Sequence, residues 1–187
     1  MHDDIKKACE VLRNGGVILY PTDTVWGIGC DATNEEAVKR IYAIKQREDS
    51  KSMLVLMDNP AKLQTYIADV PDIAWDLIDL ADSPLTIVYD GAKNLAPSLV
   101  AADGSIGIRI TSEQFSEALC RQFRKPIVST SANISGGKIA ANFREIPREI
   151  IDAVDYVVGF RQNDFTKGKP SNVIKLSRNG TIDIIRK

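Results

Sequence analysis

The chain has little of several things on which common enzyme classes depend. It contains one histidine, His2, which stands at the second position, where chain ends usually fray. Hydrolases with a histidine base, histidine-ligated metal sites and phosphohistidine chemistry are therefore poorly supported. What remains is catalysis by cations, hydroxyl groups, carboxylates and backbone dipoles.

Cysteines and long apolar runs are also scarce. Cys9, Cys30 and Cys120 are odd in number, widely spaced and outside any C-x-x-C pair. This usage argues against a disulfide framework or a zinc knuckle and favours reduced thiols. No apolar run approaches the length of a membrane span, and acids stand where a secretory signal would have a basic start. We therefore expect a cytoplasmic protein.

Neither sign of charge is in excess. The chain has 24 Lys and Arg against 25 Asp and Glu, a formal net charge of -1, so any phosphate-binding site must be local. At 187 residues, 44% of them hydrophobic, it is long enough for one well-buried domain and short for two. We expect a single domain over residues 1–187.

The spacing of apolar residues predicts helices and strands that intermingle without strict alternation. Helices are expected at 3–14, 33–45, 60–67, 71–81, 112–123 and 144–154. Strands are expected at 17–20, 53–57, 85–89, 106–110, 126–129, 156–159, 172–176 and 181–185. This pattern predicts an α/β protein of the mixed α+β kind, with helices packed on a mixed sheet.

Two polar clusters stand about eighty residues apart. The first cluster lies at and after the end of a predicted helix and consists of Lys45-Gln46-Arg47 and Lys51. The second is the segment 129–137, STSANISGG, which begins at the end of a predicted strand. Cations can neutralise a polyphosphate, and a hydroxyl-rich loop ending in glycine can bind anionic oxygens. The structural alternatives are cations that complement a helix C-terminus and a plain surface turn. The loop is not a Walker loop, because Ile139 follows Lys138.

Three further polar positions have both a structural and a functional interpretation. The turn 22–24, Thr-Asp-Thr, is either an ordinary turn or a hydroxyl pair that holds a small polar substrate beside Trp26. Arg109 interrupts an apolar strand as either a solvent-facing edge residue or the partner of a ligand carboxylate. By its position alone, Arg186 is a solvated tail residue.

Four segments together carry a resemblance to a known family. They are 21–29 (PTDTVWGIG), Lys45-Gln46-Arg47 with Lys51, 129–136 (STSANISG) and 169–174 (KPSNVI). In this order the chain resembles the YrdC family, the L-threonylcarbamoyladenylate synthases of tRNA modification, over about residues 5–187. The resemblance implies a twisted mixed sheet around a large, positively charged concave cleft. It also implies the short form, without the additional C-terminal domain of longer relatives.

The resemblance implies an enzyme that joins L-threonine, bicarbonate and ATP into threonylcarbamoyl-AMP and releases pyrophosphate. Other proteins would then transfer the threonylcarbamoyl group to tRNA, which this chain could also contact. Mg²⁺ is expected as the cofactor, bound mainly through ATP phosphates and water, with no protein side chain as a ligand.

The resemblance also assigns site residues. Its K-x-R and S-x-N motifs fall on the residues expected to form the catalytic floor, namely Lys45, Arg47, Ser131 and Asn133. The positions expected to bind ATP are Arg47, Lys51, Ser105, Asn133 and Arg186. The positions expected to bind L-threonine are Thr24, Arg109, Ser131 and Ser171.

Competing functions remain open on the same fold. An RNA-binding module would grip phosphates with a basic concave surface, although the near-neutral charge disfavours it. A YciO-like protein would depart at the synthase motifs, which are intact here at Lys45-Gln46-Arg47 and Ser131-Ala132-Asn133. Dihydroxybutanone phosphate synthase has a similar fold, but this chain lacks a suitable internal histidine.

Overall fold

A computed structural model describes residues 1–46 and 53–187. Its α-helices are α1 His2–Arg13, α2 Glu35–Lys45, α3 Leu63–Tyr66, α4 Ile73–Asp79, α5 Gln114–Phe123 and α6 Arg148–Ala153. Its strands are β1 Ile18–Tyr20, β2 Gly27–Gly29, β3 Leu54–Met57, β4 Leu85–Tyr89, β5 Ile106–Ile110, β6 Ile127–Ser131, β7 Tyr156–Val157, β8 Asn172–Leu176 and β9 Ile182–Arg186. Short 3₁₀ turns occur at Pro60–Lys62, Pro97–Leu99 and Phe143–Glu145.

These strands form one mixed sheet in the order β7-β1-β2-β6-β3-β5-β4-β8-β9. The pairs β1/β7, β3/β5 and β4/β8 are parallel, and the other neighbours are antiparallel. The predicted fold class, a mixed sheet with helices packed on it, is confirmed. The strand β5 lies between β3 and β4, so Arg109 is not at an edge of the sheet.

The predicted elements agree with the structure wherever an apolar pattern was clear, and β4, β5 and β8 have the predicted bounds. Two differences have physical causes. The strand β2 was not predicted because two of its three residues are glycines, which strands disfavour. A Cβ on Gly29 would lie 2.5 Å from the carbonyl oxygen of Val128, so close backbone approach requires glycine there. The helix predicted at 144–154 is divided by Pro147 into a 3₁₀ turn and α6.

Helices α1 and α5 pack against each other and on the sheet through their apolar sides. The N-cap of α5 is Glu113, whose carboxylate accepts hydrogen bonds from the backbone N–H groups of Phe115 and Ser116. At α2 the cap is Asn34, whose side chain accepts a hydrogen bond from Ala37 N. Over the residues that the structure describes, no helix is both long and apolar enough to span a membrane.

Small residues line one face of the central strands. A Cβ on Gly107 would lie 3.4 Å from both Leu54 Cβ and Thr86 Cγ2, and a Cβ on Gly27 would lie 3.3 Å from Ser129 Oγ. Because alternate residues of a strand share a face, these positions form a continuous row across β2, β6, β3, β5 and β4. The small side chains leave room above the sheet, and the candidate site lies there.

Candidate functional site

The structure brings the four predicted threonine-binding residues to one small cavity of about 220 Å³. They come from four places in the chain: the turn before β2, strand β5, the end of β6 and the residue before β8. These residues are Thr24, Arg109, Ser131 and Ser171. Arg186 of β9, predicted to bind nucleotide, lines the same cavity. The sheet topology therefore gathers residues that lie up to 162 positions apart in sequence (186 − 24).

A larger cavity of about 790 Å³ adjoins the small one. The two share a wall formed by Thr24, Val25, Pro170 and Arg186. The side chains around the larger cavity include five cations, Arg161, Lys167, Lys169, Arg186 and Lys187, and three acids, Asp23, Glu113 and Asp164. Each of these acids contacts an arginine. Two adjoining cavities of this size, with an excess of cations, suit a bulky anionic ligand.

Arg109 forms a buried ion pair with Asp23. Its Nε lies 3.0 Å from Asp23 Oδ1, and both side chains are more than nine-tenths buried. The Nε–H is not aligned for a hydrogen bond with that oxygen, so the contact is ionic. Burial raises the pKa of the Asp23 carboxyl above its ordinary value, and Arg109 opposes this shift. Burial also lowers the pKa of the Arg109 guanidinium, which Asp23 opposes and nearby Arg186 reinforces.

The turn that contains Asp23 is held by its own threonines. Thr22 Oγ1 donates a hydrogen bond to Val25 O at 2.7 Å and accepts one from Thr24 N at 3.2 Å. The Thr22 and Thr24 hydroxyl oxygens lie 3.2 Å apart. Thr24 thus faces the small cavity while Asp23 reaches Arg109 from the same turn.

Lys45 organises the loop that carries the S-x-N motif. This lysine is 1% exposed, and its Nζ donates to the carbonyl oxygens of Ser131 at 2.5 Å and Asn133 at 2.7 Å. Ser131 Oγ donates to Asn133 Oδ1 at 2.5 Å, and Asn133 Nδ2 donates to the carbonyls of Ile134 and Gly137 at 2.9 Å each. The predicted motifs therefore meet in space, and Lys45 directs its charge at the loop backbone.

The loop before β8 is fixed at the site by three polar contacts of Ser171. Its hydroxyl lies 2.9 Å from Thr86 Oγ1 on β4. Arg186 Nε donates to Ser171 O at 3.0 Å, and Nη2 reaches Ser171 Oγ at 3.4 Å. Arg186 remains exposed but is held in the cavity wall by these hydrogen bonds, so it is not a free tail residue.

Three predicted residues remain, namely Arg47, Lys51 and Ser105. Arg47 and Lys51 lie outside the described residues. Ser105 precedes β5 and shares a sheet face with Gly107 and Arg109, but it lies about 13 Å from Arg109 along the strand, at roughly 3.3 Å per residue. Its hydroxyl donates to Asp103 Oδ1 at 2.6 Å. The structure does not bring Ser105 to either cavity described above, because that end of β5 points away from them.

A segment that we call the strap, residues 161–171, runs over the turn 22–25. At its start, Arg161 has a φ of 65°, and its guanidinium contacts Asp164 at 2.9 Å, Glu113 at 3.3 Å and Thr22 O at 3.4 Å. Further along, a Cβ on Gly168 would lie 1.9 Å from Thr24 O, so only glycine fits. The strap and the Thr22–Thr24 turn are therefore packed backbone to backbone.

The sequence analysis did not identify several residues that shape the site. They are Asp23 as the partner of Arg109, Glu113, Arg161 and Gly168. Asp23 carried a weak signal, since a polar turn followed a buried strand. Arg161 and Gly168 carried none, because the turn that they contact, at Thr22 and Thr24, lies more than 100 residues away in the chain.

Comparisons with known proteins agree with this fold and set of motifs. The Sua5/YciO/YrdC family model, described as "Telomere recombination", matches residues 10–187, and the chain belongs to this family. The threonylcarbamoyl-AMP synthase of Pseudoalteromonas translucida (strain TAC 125) is 37% identical over 157 residues, which are 82% of this chain and 84% of that protein. The predicted resemblance is confirmed.

Solved structures share the fold. E. coli YciO has a TM-score of 0.85 at 27% identity, covering 100% of this chain and 90% of that chain. P. abyssi Sua5 in complex with L-threonine has a TM-score of 0.82 at 23% identity, covering 92% of this chain. The chain spans only 50% of that longer protein, and at this identity the likeness concerns the fold alone.

Proposed function

We propose that the chain is an L-threonylcarbamoyladenylate synthase. It joins L-threonine, bicarbonate and ATP into threonylcarbamoyl-AMP and pyrophosphate, for the threonylcarbamoyladenosine modification of tRNA. A relative with 37% identity carries the name threonylcarbamoyl-AMP synthase, which supports the proposal. In this proposal residues 1–187 act as one catalytic domain in the cytoplasm, and the three buried, unpaired cysteines fit a reducing compartment.

One observation carries the proposal: the small cavity combines a buried guanidinium with hydroxyl groups from three separate segments. Arg109 offers charge for an amino acid carboxylate, while Thr24, Ser131 and Ser171 offer short polar groups for an amine or a hydroxyl. The adjoining larger cavity, with Arg186 at the shared wall, has room for a nucleotide. These two compartments match a substrate pair of one small amino acid and one polyphosphate.

The proposed chemistry needs no nucleophile from the enzyme. The amine of threonine captures carbon dioxide derived from bicarbonate and loses a proton, which gives a carbamate. A carbamate oxygen then attacks the α-phosphorus of ATP. The new P–O bond forms as the bond to the β-phosphate oxygen breaks, and pyrophosphate leaves with that electron pair. Positioning and charge neutralisation would supply the rate.

The roles of the chain's residues follow from where they lie. Arg109 would pair with the threonine carboxylate, and Thr24 and Ser171 would hold the other polar groups of the amino acid. Ser131 and Asn133 would form the floor beneath the reacting atoms, in the loop that Lys45 holds. Arg47 and Lys51 would neutralise phosphate charge, and Arg186 would do so from the shared wall.

Mg²⁺ would arrive with ATP. The small cavity has no carboxylate among the described residues, and the three acids around the larger cavity, Asp23, Glu113 and Asp164, each contact an arginine, which does not suit a metal held by the chain itself. The donor set therefore fits a metal bound by phosphate oxygens and water, which would offset phosphate charge.

The deciding experiment measures pyrophosphate release from ATP and Mg²⁺ while L-threonine or bicarbonate is omitted in turn. Release that requires both substrates is expected. If ATP binds but no pyrophosphate is released, the chain is not this synthase. Arg47→Ala is expected to lose turnover or ATP affinity, and wild-type values in that variant would remove Arg47 from the site.

The same preparation tests other functions and partners. An RNA-binding module without synthase activity would bind tRNA with steep salt dependence and show no threonine-dependent ATP consumption. A YciO-like protein would show neither threonine nor bicarbonate dependence. The proposed product carries a mixed anhydride, so downstream threonylcarbamoyl transferase proteins are the expected partners, with tRNA as a further contact.

A further inference from the structure

The guanidinium of Arg109 has Asp23 on one side and the small cavity on the other. Asp23 contacts Arg109 at Nε, whereas Arg109 lines the small cavity and Asp23 does not. Among the described residues, no acceptor forms a hydrogen bond with Nη1 or Nη2 of Arg109. Because Arg109 lines that cavity, its two terminal nitrogens remain available to a ligand there, while Nε contacts Asp23.

This arrangement matters because an arginine side chain is otherwise mobile. Immobilising such a side chain costs conformational entropy, and a contact made before the ligand binds reduces that cost at the time of binding. The ion pair also balances a charge that would otherwise be buried alone. Asp23 shares its turn with Thr24, so the same contact sets the distance between two walls of the small cavity.

We propose that Asp23 is a positioning residue for the substrate carboxylate. Its ion pair with Nε fixes the Arg109 guanidinium so that Nη1 and Nη2 face the small cavity as a fork for two carboxylate oxygens. The inference rests on the proposed function, in which that carboxylate belongs to L-threonine. Asp23 acts on that carboxylate through Arg109, because Asp23 itself does not line the small cavity.

Two effects of removing the Asp23 charge oppose each other. Loss of orientation weakens a bidentate contact, while loss of a nearby negative charge favours an anionic ligand. At the effective dielectric constant of a protein site, that repulsion is comparable to the side-chain entropy of one arginine. Threonine affinity is therefore a poor readout, whereas turnover is a good one, because a displacement of about 1 Å can cost 100-fold in rate.

The first test compares Asp23→Asn with wild type in the threonine-dependent release of pyrophosphate. We expect kcat to fall at least about tenfold at saturating substrates, with the KM for ATP changed by less than about twofold. Asp23→Glu, which keeps the charge, should recover part of the loss. Wild-type kcat in Asp23→Asn would overturn the proposal.

A double-mutant cycle separates positioning from a general structural role. If Asp23 acts through Arg109, Asp23→Asn should lower kcat by less than about twofold in an Arg109→Gln background. A general effect on folding would multiply the two losses, and that result would also overturn the proposal. The double variant carries no unpaired charge from this pair. Its comparison with Arg109→Gln can therefore be measured even if Asp23→Asn alone folds poorly.

A spectroscopic readout does not depend on the reaction. In ¹⁵N-labelled protein, the Nε–H signal of Arg109, assigned by its loss in Arg109→Gln, should have a different chemical shift in Asp23→Asn than in the wild type, because that substitution removes the negative charge 3.0 Å from Nε. An unchanged signal would contradict the pairing. If wild type releases no pyrophosphate while the signal depends on Asp23, the proposed synthase activity fails and the pairing stands.

Discussion

The ammonium group of Lys45 and the carbonyl oxygen of Asn133 lie 2.7 Å apart, so the end of helix α2 is tied to the loop after strand β6. In the reverse direction, Ser135 N donates to Lys45 O at 2.8 Å. The two motifs that the sequence displayed separately are thus one unit, in which a buried cation holds a hydroxyl-rich loop in place.

We expect Lys45→Met to destabilise the protein by about 2–4 kcal/mol, because the carbonyls of Ser131 and Asn133 would each lose a charged donor. The measurement is urea unfolding at pH 7. Lys39→Met on the same helix is the matched control, since its exposed ion pairs are worth less than about 1 kcal/mol. Equal effects of the two substitutions would contradict the role of Lys45.

Gly168→Ala should raise the KM for L-threonine by about tenfold or more, because the new methyl group would force the strap away from the carbonyl of Thr24. Steady-state kinetics with varied threonine provides the measurement. Gly159→Ala is the control: its Cβ would meet the two carboxylate oxygens of Asp4 at 3.5 and 3.8 Å, which are ordinary contacts. A wild-type KM in Gly168→Ala would mean that the strap does not shape the threonine site.

Arg161→Ala and Arg161→Gly both remove the contacts with Thr22, Glu113 and Asp164, but they differ in backbone strain. At a φ of 65°, glycine is unstrained and alanine is not, so the glycine variant should be the more stable by about 1 kcal/mol. Denaturant unfolding of both variants measures this difference. Equal stability would show that position 161 relaxes to negative φ once the guanidinium is gone.

The pH dependence of stability should reveal the pair between Arg40 and Asp155. The hydrogen bonds from Arg40 lower the pKa of Asp155 below its ordinary value, although desolvation opposes them. A carboxyl with a lowered pKa in the folded state stabilises the protein above its unfolded pKa of about 3.9, and this contribution is lost as the pH falls through the folded value.

We therefore expect Asp155→Asn to cost about 1 kcal/mol or less at pH 7, since both side chains are partly exposed, and to cost less near pH 3. Unfolding in urea at the two pH values measures the difference. The control Asp152→Asn removes only an exposed pair with Arg148 on helix α6 and should change little at either pH. A cost for Asp155→Asn that grows on acidification would contradict the assigned sign.

Much of the fold could be predicted because local patterns decide it. The alternating apolar residues of β5 and the helical spacing before Lys45 predicted their elements closely. Strand β2 could not be predicted, since the pattern Gly-Ile-Gly has low strand propensity and exists as a strand only between β1 and β6. The break at Pro147 is by contrast a local effect, because a proline inside a helix removes a backbone hydrogen bond and clashes with the preceding turn.

The same distinction between local patterns and distant contacts applies to the candidate site. Residue type alone indicated phosphate and carboxylate chemistry, because cations and hydroxyl groups have that chemistry wherever they lie. Asp23 and Arg109 could not be paired from the sequence, since they are 86 residues apart (109 − 23) and a charged residue in a strand has many conceivable partners.

By itself, then, the sequence determined the class of chemistry, most of the secondary structure and the family, all of which depend on residue types at short spacing. Only the tertiary structure decided three contacts. Lys45 donates hydrogen bonds to the loop 131–133, Asp23 forms an ion pair with Arg109, and Gly168 packs against Thr24. The physical reason is that these contacts join distant segments, and the order and register of the sheet bring those segments together.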